Sequence, residues 1–405
     1  MIGVGGVGMA GLALLLKMRG HEVSGCDGHP SARTEWLAGK GITFFGGHSP
    51  SHIKGDEEII VTPAVPANSP ELVRARELGL TIRSRGETLA NIVSSCNSIA
   101  IAGSHGKTTT SSWTARLLIA LGERVEWCIG GETGAFPVAG IEGPLDKPSV
   151  LVVEADESDG TLALYSATTL VVTNCEYDHP DRFKTPEEYA DCYNEARRRA
   201  QCVIEAELLP PIDHPKLCEV LKALPAHNMR NARTAVELAL RRGHSIDDIA
   251  NALPEIVTAL PDRRFQVVSA PDSPLVIADY AHHPTEMACA ISMARKICRG
   301  TLRVLFQPHR YSRTKSLLND FPPALSLGDE IILCPTYAAF EQPTAGGGIE
   351  DLYEACRKYG KFKSLKLACS CTEAWASVRG TLEEGDVTLL LGAGDIINIT
   401  SLLRA

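Results

Sequence analysis

Residues 103–110 read GSHGKTTT, a glycine-lysine-threonine run of the kind that cradles phosphate where a strand turns into a helix. The common phosphate loop sets a glycine five positions before its Gly-Lys pair. Here that position is Ile101, and the nearest upstream glycine is Gly103. The loop is two residues shorter than the common form, yet apolar SIAIAG (98–103) precedes it and helical sequence follows. Backbone N–H groups at a helix N-terminus bind phosphate whatever the length of the approach loop. Gly103, Ser104, His105, Gly106 and Thr109 therefore form the candidate cradle. Lys107 would reach the terminal phosphates of a bound nucleotide, and the Thr108 hydroxyl a magnesium ion.

Acids stand where such a site needs them. VLVVEADESD (150–159) is an apolar run ending in Glu154, Asp156, Glu157 and Asp159, and the strand-like TTLVVTNCEYDH (168–179) ends in Asn174, Asp178 and His179. Ligands of a doubly wound sheet collect at the carboxyl ends of its strands, so Glu154 and Thr108 should meet there. Further on, His309, Arg310 and Arg313 fall within five positions after the strand-like LRVLFQ (302–307). Two arginines and a histidine at a strand end suit a carboxylate or phosphoryl group through bidentate hydrogen bonds. Tyr280, His282 and His283 lie at the end of LVIADY (275–280), read as the neighbouring strand.

At the other end of the chain, Gly3, Gly5 and Gly8 spell G-x-G-x-x-G, with Gly6 between them and Asp27 about twenty residues on. Taken alone this is a dinucleotide fingerprint, which makes an NAD-dependent oxidoreductase the competing enzyme class. Only Met1 and Ile2 precede the first glycine, where a strand ordinarily takes about five residues. The first strand is expected to be a stub, or to lack residues.

These residues need a scaffold of alternating strands and helices, and the pattern supplies one three times over. Residues 1–96, 97–260 and 261–405 each open on a new strand and continue in α/β alternation, predicting three consecutive domains. The first and third are Rossmann-like, and the second is of the phosphate-loop ATPase type. With 44% hydrophobic and 22% charged residues, the 405-residue chain has the balance of globular domains. A net charge of −9 argues against nucleic acid or an anionic membrane as partner. No apolar run approaches the ~20 residues of a membrane span, and a secretory leader is not expected. The 13 cysteines are odd in number and include no C-x-x-C pair, as expected of reduced, mostly buried thiols in a cytoplasmic protein.

Taken in series, G-x-x-G-K-T-T, E-A-D-E-S-D, T-N-x-x-x-D-H and H-N-x-x-N (HNMRN, 227–231) resemble the ATP-binding domain of the Mur ligases, the cytoplasmic amide-forming enzymes of peptidoglycan synthesis. The resemblance extends over nearly the whole chain. Through VGGVGMAG (4–11), VTPAVPANSPEL (61–72), DYAHHPTE (279–286) and FQPHRYSRT (306–314) it leans toward members that join L-alanine to UDP-N-acetylmuramate.

It implies that the short loop is intact and that ATP and Mg2+ are used. Magnesium would be held by Thr108, Glu154 and His179. Asn228 and Asn231 would lie at the adenine, Arg263 and Arg264 of DRRF at the ATP phosphates, and Asp279 at the ribose. Gly3, Gly5, Gly6, Gly8 and Asp27 would hold the UDP-sugar, and Tyr280, His282 and His283 the amino acid. Lys107, His179, His309, Arg310 and Arg313 make up the catalytic set, and the protein is expected to act as a monomer or homodimer. Closure of the third domain on the second would gate the reaction.

The pattern departs from the family in one region. A long β-rich segment normally separates the D-H and H-N-x-x-N motifs, but only 202–226 stands there, broken by the prolines of LLPPIDHP. Ala226 also replaces the usual glycine. A murein-peptide recycling ligase and a non-catalytic paralogue are the alternatives within the family.

Overall fold

The computed structural model describes residues 1–132, 136–271, 273–339 and 341–403. The chain forms two compact units, one of Met1–Tyr177 with Thr185–Pro261, the other of Asp178–Lys184 with Asp262–Ala405.

The first unit begins with helix α1 (Val7–Met18), strand β1 (Ser24–Asp27), α2 (Ala32–Gly39), β2 (Thr43–Gly46), β3 (Ile59–Val61), α3 (Pro70–Glu77), β4 (Ile82–Ser84) and α4 (Arg85–Ser94). Strands β1 and β2 pair in parallel, as do β3 and β4. The expected stub joins them. Ile2, 1% exposed, bridges Cys26 of β1 and Val61 of β3, and its N–H donates to the Ile60 carbonyl at 2.8 Å. Helix α4 starts where Ser84 and Glu87 cap each other reciprocally, which fixes the direction of Arg85 at its first turn.

The same unit continues with β5 (Ser98–Ala102), α5 (Lys107–Ala120), β6 (Arg124–Cys128), β7 (Ala139–Glu142), β8 (Ser149–Glu154), β9 (Thr169–Val172), α6 (Pro186–Arg199), β10 (Cys202–Glu205), α7 (Pro215–Ala223), α8 (Ala226–Arg241) and α9 (Ile246–Thr258). The sheet order is β10-β9-β5-β8-β6-β7, parallel except for β6–β7. Strand β5 is buried along its whole length, as a central parallel strand covered on both faces must be. Because β8 and β9 flank it, the carboxyl ends of all three lie side by side.

The strand read over 168–179 stops at Val172. Thr173 and Asn174 then turn the chain toward the loop by bonding the His105 carbonyl, at 2.6 and 2.9 Å. The short 202–226 stretch is also more regular than its prolines suggest. It adds β10 at the sheet edge and α7, begun by Pro215 in the first turn and capped by His214, whose Leu217 and Leu221 enter the core.

The second unit carries β11 (Gln266–Val267), β12 (Leu275–Asp279), α10 (Pro284–Ile297), β13 (Leu302–Phe306), α11 (Tyr311–Ser316), α12 (Phe321–Leu325), β14 (Glu330–Leu333), α13 (Ile349–Tyr359), β15 (Ser364–Leu367), α14 (Cys371–Val378) and β16 (Val387–Leu391). Its order is β11-β12-β16-β13-β14-β15, parallel except at β11. The loops that follow β12, β13 and β16 thus open on one edge. Among the described residues no helix is long and apolar enough to cross a membrane.

Candidate active site

The loop after β5 is shaped by its neighbours. Gly103 holds φ +140°, and a Cβ there would stand 1.9 Å from Thr173 Oγ1. Gly106 holds φ +82°, with Asn231 Oδ1 2.6 Å from where a Cβ would be. Neither position accepts a side chain. Gly106 also leaves the N-terminus of α5 without a side-chain cap, so its first N–H groups are open to an anion. Asn174 Oδ1 accepts from the His105 N–H at 3.0 Å, and the Ser104 hydroxyl donates to the Glu176 carbonyl at 2.5 Å.

Lys107 folds back over this loop. Its Nζ donates to the Gly103 carbonyl at 2.5 Å and to Glu157 Oε1 at 3.0 Å. Burial works against the ammonium, but Glu157, Asp156 and Glu154 outweigh it and hold the group charged above its ordinary value. Beside it, the Thr108 hydroxyl donates to Glu154 Oε1 at 3.1 Å, and Glu154 Oε2 accepts from the Gly130 N–H at 2.7 Å. Burial pushes the Glu154 carboxyl up despite Lys107 and these two donors. A carboxylate and a hydroxyl meeting at a strand end are hard oxygen donors of the kind magnesium takes. The third residue expected at the metal, His179, belongs to the other unit.

In that second unit Asp178 and Arg313 form a buried bidentate pair, at 2.9 and 3.1 Å. Burial alone would raise the Asp178 carboxyl, but the Arg313 guanidinium holds it well below the usual carboxylate range. Arg310 pairs with Asp181 of the same short segment. Five non-glycine residues among those described hold positive φ, and His179, Arg263 and Arg310 are three of them. Such backbone strain concentrates at functional sites.

Arg263 donates to the Gly392 carbonyl at 2.7 Å, Arg264 reaches Glu286 at 3.4 Å, and both guanidinium groups lie over the Tyr280 ring. Asp279 accepts the Phe265 and Ala281 N–H groups, each at 2.8 Å, and burial pushes its carboxyl up to about 6. His283 caps α10 by accepting the Thr285 N–H, a structural task for a residue assigned to the amino acid.

His282 and His309 lie ring to ring, with centroids 5.6 Å apart. Burial, with Arg313 nearby, pushes His282 down to about 3. Burial, then His282 and Arg313, pushes His309 down to about 2. Both are neutral across the physiological range. Unfolded imidazoles gain protons below their ordinary value of about 6.5, whereas these folded ones do not until far lower. The stability they contribute is full above about pH 6.5 and falls as pH drops toward 3. Denaturant unfolding between pH 7 and 4 should therefore show the wild type losing stability faster than a His282→Gln/His309→Gln variant. Parallel curves would refute this.

Three family models match in chain order: Mur ligase family, catalytic domain, over residues 1–96; Mur ligase middle domain over 101–195; and Mur ligase, glutamate ligase domain, over 263–394. The UDP-N-acetylmuramate–L-alanine ligase of Gloeobacter violaceus is 32% identical to this chain, covering 98% of it and 93% of that protein. The chain belongs to the Mur ligase family. Among solved structures, the UDP-N-acetylmuramate-alanine ligase of Thermotoga maritima matches with a TM-score of 0.79 at 25% identity, covering 100% of this chain and 97% of that one. A murein peptide ligase of Psychrobacter arcticus shares the fold, with a TM-score of 0.66 at 20% identity, covering 100% and 97%. The alignment with the Gloeobacter protein runs over 437 positions against 405 residues here, so that relative carries residues this Mur ligase lacks.

In this Mur ligase the glycine-rich start leads into α1, whose N-cap, Gly6, leaves the helix terminus free of a side-chain cap. Asp27 Oδ2 accepts the Gly5 N–H at 2.9 Å, and a Cβ at Gly8 would stand 3.2 Å from Arg85. Arg85 also donates to Asp156 at 2.9 Å, tying the glycine turn of the first domain to the acids of the second. Sequence reasoning missed Arg85, although a helix-opening arginine after the capping Ser84 was a usable signal. It also gave Glu157 no task, because the partner of Lys107 stands fifty residues away along the chain. Asn228 and Asn231, in the first turns of α8, bond each other at 3.2 Å beside Gly106.

Proposed function

We propose that this Mur ligase joins L-alanine to the lactyl carboxylate of UDP-N-acetylmuramate, converting ATP to ADP and phosphate. The observation that carries the reading is the pairing of Lys107 with Glu157 and of Thr108 with Glu154 at adjacent strand ends, in a chain alignable almost end to end with ligases of that name. A carboxylate oxygen of the sugar attacks the γ-phosphorus, and the bond to the β-phosphate oxygen breaks. The amine of L-alanine then attacks the acyl carbon, an amide forms, and phosphate leaves.

The uncapped terminus of α5 receives phosphate oxygens, and Lys107 exchanges Glu157 and the Gly103 carbonyl for the β/γ oxygens as charge develops there. Magnesium, held by Thr108, Glu154 and His179, would supply charge neutralisation on the phosphates. Asp279 receives the ribose, Arg263 and Arg264 the phosphates, and Asn228 and Asn231 the adenine. His309 and Arg310 act on the reacting carboxylate, Arg313 holds the segment that carries His179 through its pair with Asp178, and Tyr280, His282 and His283 stand at the amino acid. Gly3, Gly5, Gly6, Gly8 and Asp27 cradle the UDP-sugar. The domains run 1–96, 97–260 and 261–405, and the protein works in the cytoplasm as a monomer or homodimer, without nucleic acid or membrane as partner.

Phosphate release tests this, with UDP-N-acetylmuramate, ATP and a panel of amino acids including glycine and serine. L-Alanine should give the highest kcat/KM, with kcat in the ordinary range of about 1–1000 per second. The shortened middle domain should show itself in a raised KM for ATP, about tenfold for each 1.4 kcal/mol of lost adenine contact. Folded protein that releases no phosphate at millimolar ATP would leave the non-catalytic paralogue standing. Micromolar NAD binding by calorimetry, with none for the UDP-sugar, would favour the oxidoreductase.

A further inference from the structure

A second cluster of metal-ligating side chains lies in the first domain, apart from the ATP loop. Cys26 at the end of β1, His48 in the turn after β2 and Glu71 in the first turn of α3 bring one sulfur, one nitrogen and one oxygen within 4.8 Å of one another. Glu71 is fully buried, Cys26 is buried, and His48 is exposed. The hydrogen bonding of the carboxylate is lopsided. Oε1 faces four groups: the Ser49 N–H at 2.9 Å, His48 Nδ1 at 3.1 Å, His52 Nδ1 at 3.1 Å and Cys26 Sγ at 3.4 Å. Oε2, equally buried, has no hydrogen-bond partner among the described residues. A carboxylate oxygen has two lone pairs, so four approaching groups exceed what it can accept while its twin is left idle. A carboxylate serving only to tie the turn to α3 would share its donors between both oxygens.

The spacing suits a metal better. Zinc bonds sulfur at about 2.3 Å and nitrogen or oxygen at about 2.0 Å, which sets tetrahedral ligands about 3.5 Å apart for sulfur–oxygen and about 3.3 Å for nitrogen–oxygen. The corresponding separations here are 3.4 Å and 3.1 Å. Thiolate, imidazole and carboxylate together are a set zinc accepts and that magnesium, which prefers oxygen alone, does not.

We propose that Cys26, His48 and Glu71 form a zinc site, with the fourth position taken by water on the exposed His48 side. On binding, the Cys26 thiol proton passes to solvent and a zinc–sulfur bond forms. His52, whose ring stacks on Phe45 at 4.9 Å, stays a donor to the Glu71 carboxylate and orients it. The ion acts as a staple. It ties the end of β1, whose Cys26 carbonyl accepts the Gly3 and Val4 N–H groups of the glycine-rich turn, to α3 and the turn after β2.

The test uses the full-length protein freed of metal by chelation. Cobalt(II) replaces zinc and reports a thiolate ligand through a near-ultraviolet charge-transfer band that oxygen-only sites cannot give. One equivalent should produce the band, and one equivalent of zinc should remove it. Cys26→Ser should abolish it. His48→Gln, at an exposed position that cannot disturb the core, should weaken zinc binding at least about a hundredfold, and His52→Gln about tenfold. Absence of the band in wild type, or its persistence in both the Cys26 and His48 variants, overturns the site.

Discussion

Lys107→Ala should abolish amide formation, lowering kcat at least about a thousandfold, or about 4 kcal/mol of transition-state stabilisation. No other cation stands in the loop GSHGKTTT, and phosphoryl transfer leaves the protein little to do beyond placing charge. In the structure the ammonium is already held over the loop by the Gly103 carbonyl and Glu157. The variant also leaves Glu157, buried and 3.0 Å from Nζ, without that ammonium, so part of the loss could be confused with unfolding. Adding Glu157→Gln separates the two, since it should restore thermal stability while turnover stays absent. Product formation by Lys107→Ala within tenfold of wild type would remove this loop from the mechanism.

Arg313→Ala should destabilise the second unit by about 3–5 kcal/mol, the usual cost of leaving one member of a buried ion pair alone. Arg313 is 3% exposed, and its two bonds to Asp178 make it the anchor of the segment Asp178–Lys184, which carries His179. Arg313 is thus a positioning residue by its contacts. Loss of turnover should follow loss of the segment's order. Lysine keeps the charge but not the fork, so Arg313→Lys should recover about half the stability and only part of kcat. Thermal unfolding read beside kcat makes the distinction. An alanine variant as stable as wild type yet inactive would show instead that Arg313 touches substrate.

The sequence by itself determined the parts that depend on neighbours within one turn or one strand. The apolar run SIAIA, the glycines at 103 and 106 and the helix after Lys107 are a strand, a tight turn and a helix start because backbone conformation and burial are set locally. The meeting of Thr108 with Glu154 was legible too, since parallel strands in such a sheet deliver their ends to one edge. Strands β2, β6, β7, β10, β11 and β15 escaped the coarse reading. β7 and β10 hold only four residues each at the sheet's edges, too short for a period to declare itself.

Only the tertiary structure decided which side chains hold one another. The D-H motif read as the end of a strand, but Asp178 leaves it to meet Arg313, 135 positions away. Cys26 read as one of many inert thiols until the fold brought it to His48 and Glu71, the latter 45 positions away. Such pairings carry no local signal. Their free energy comes from charges and polar groups desolvated together, and that happens once separate elements pack.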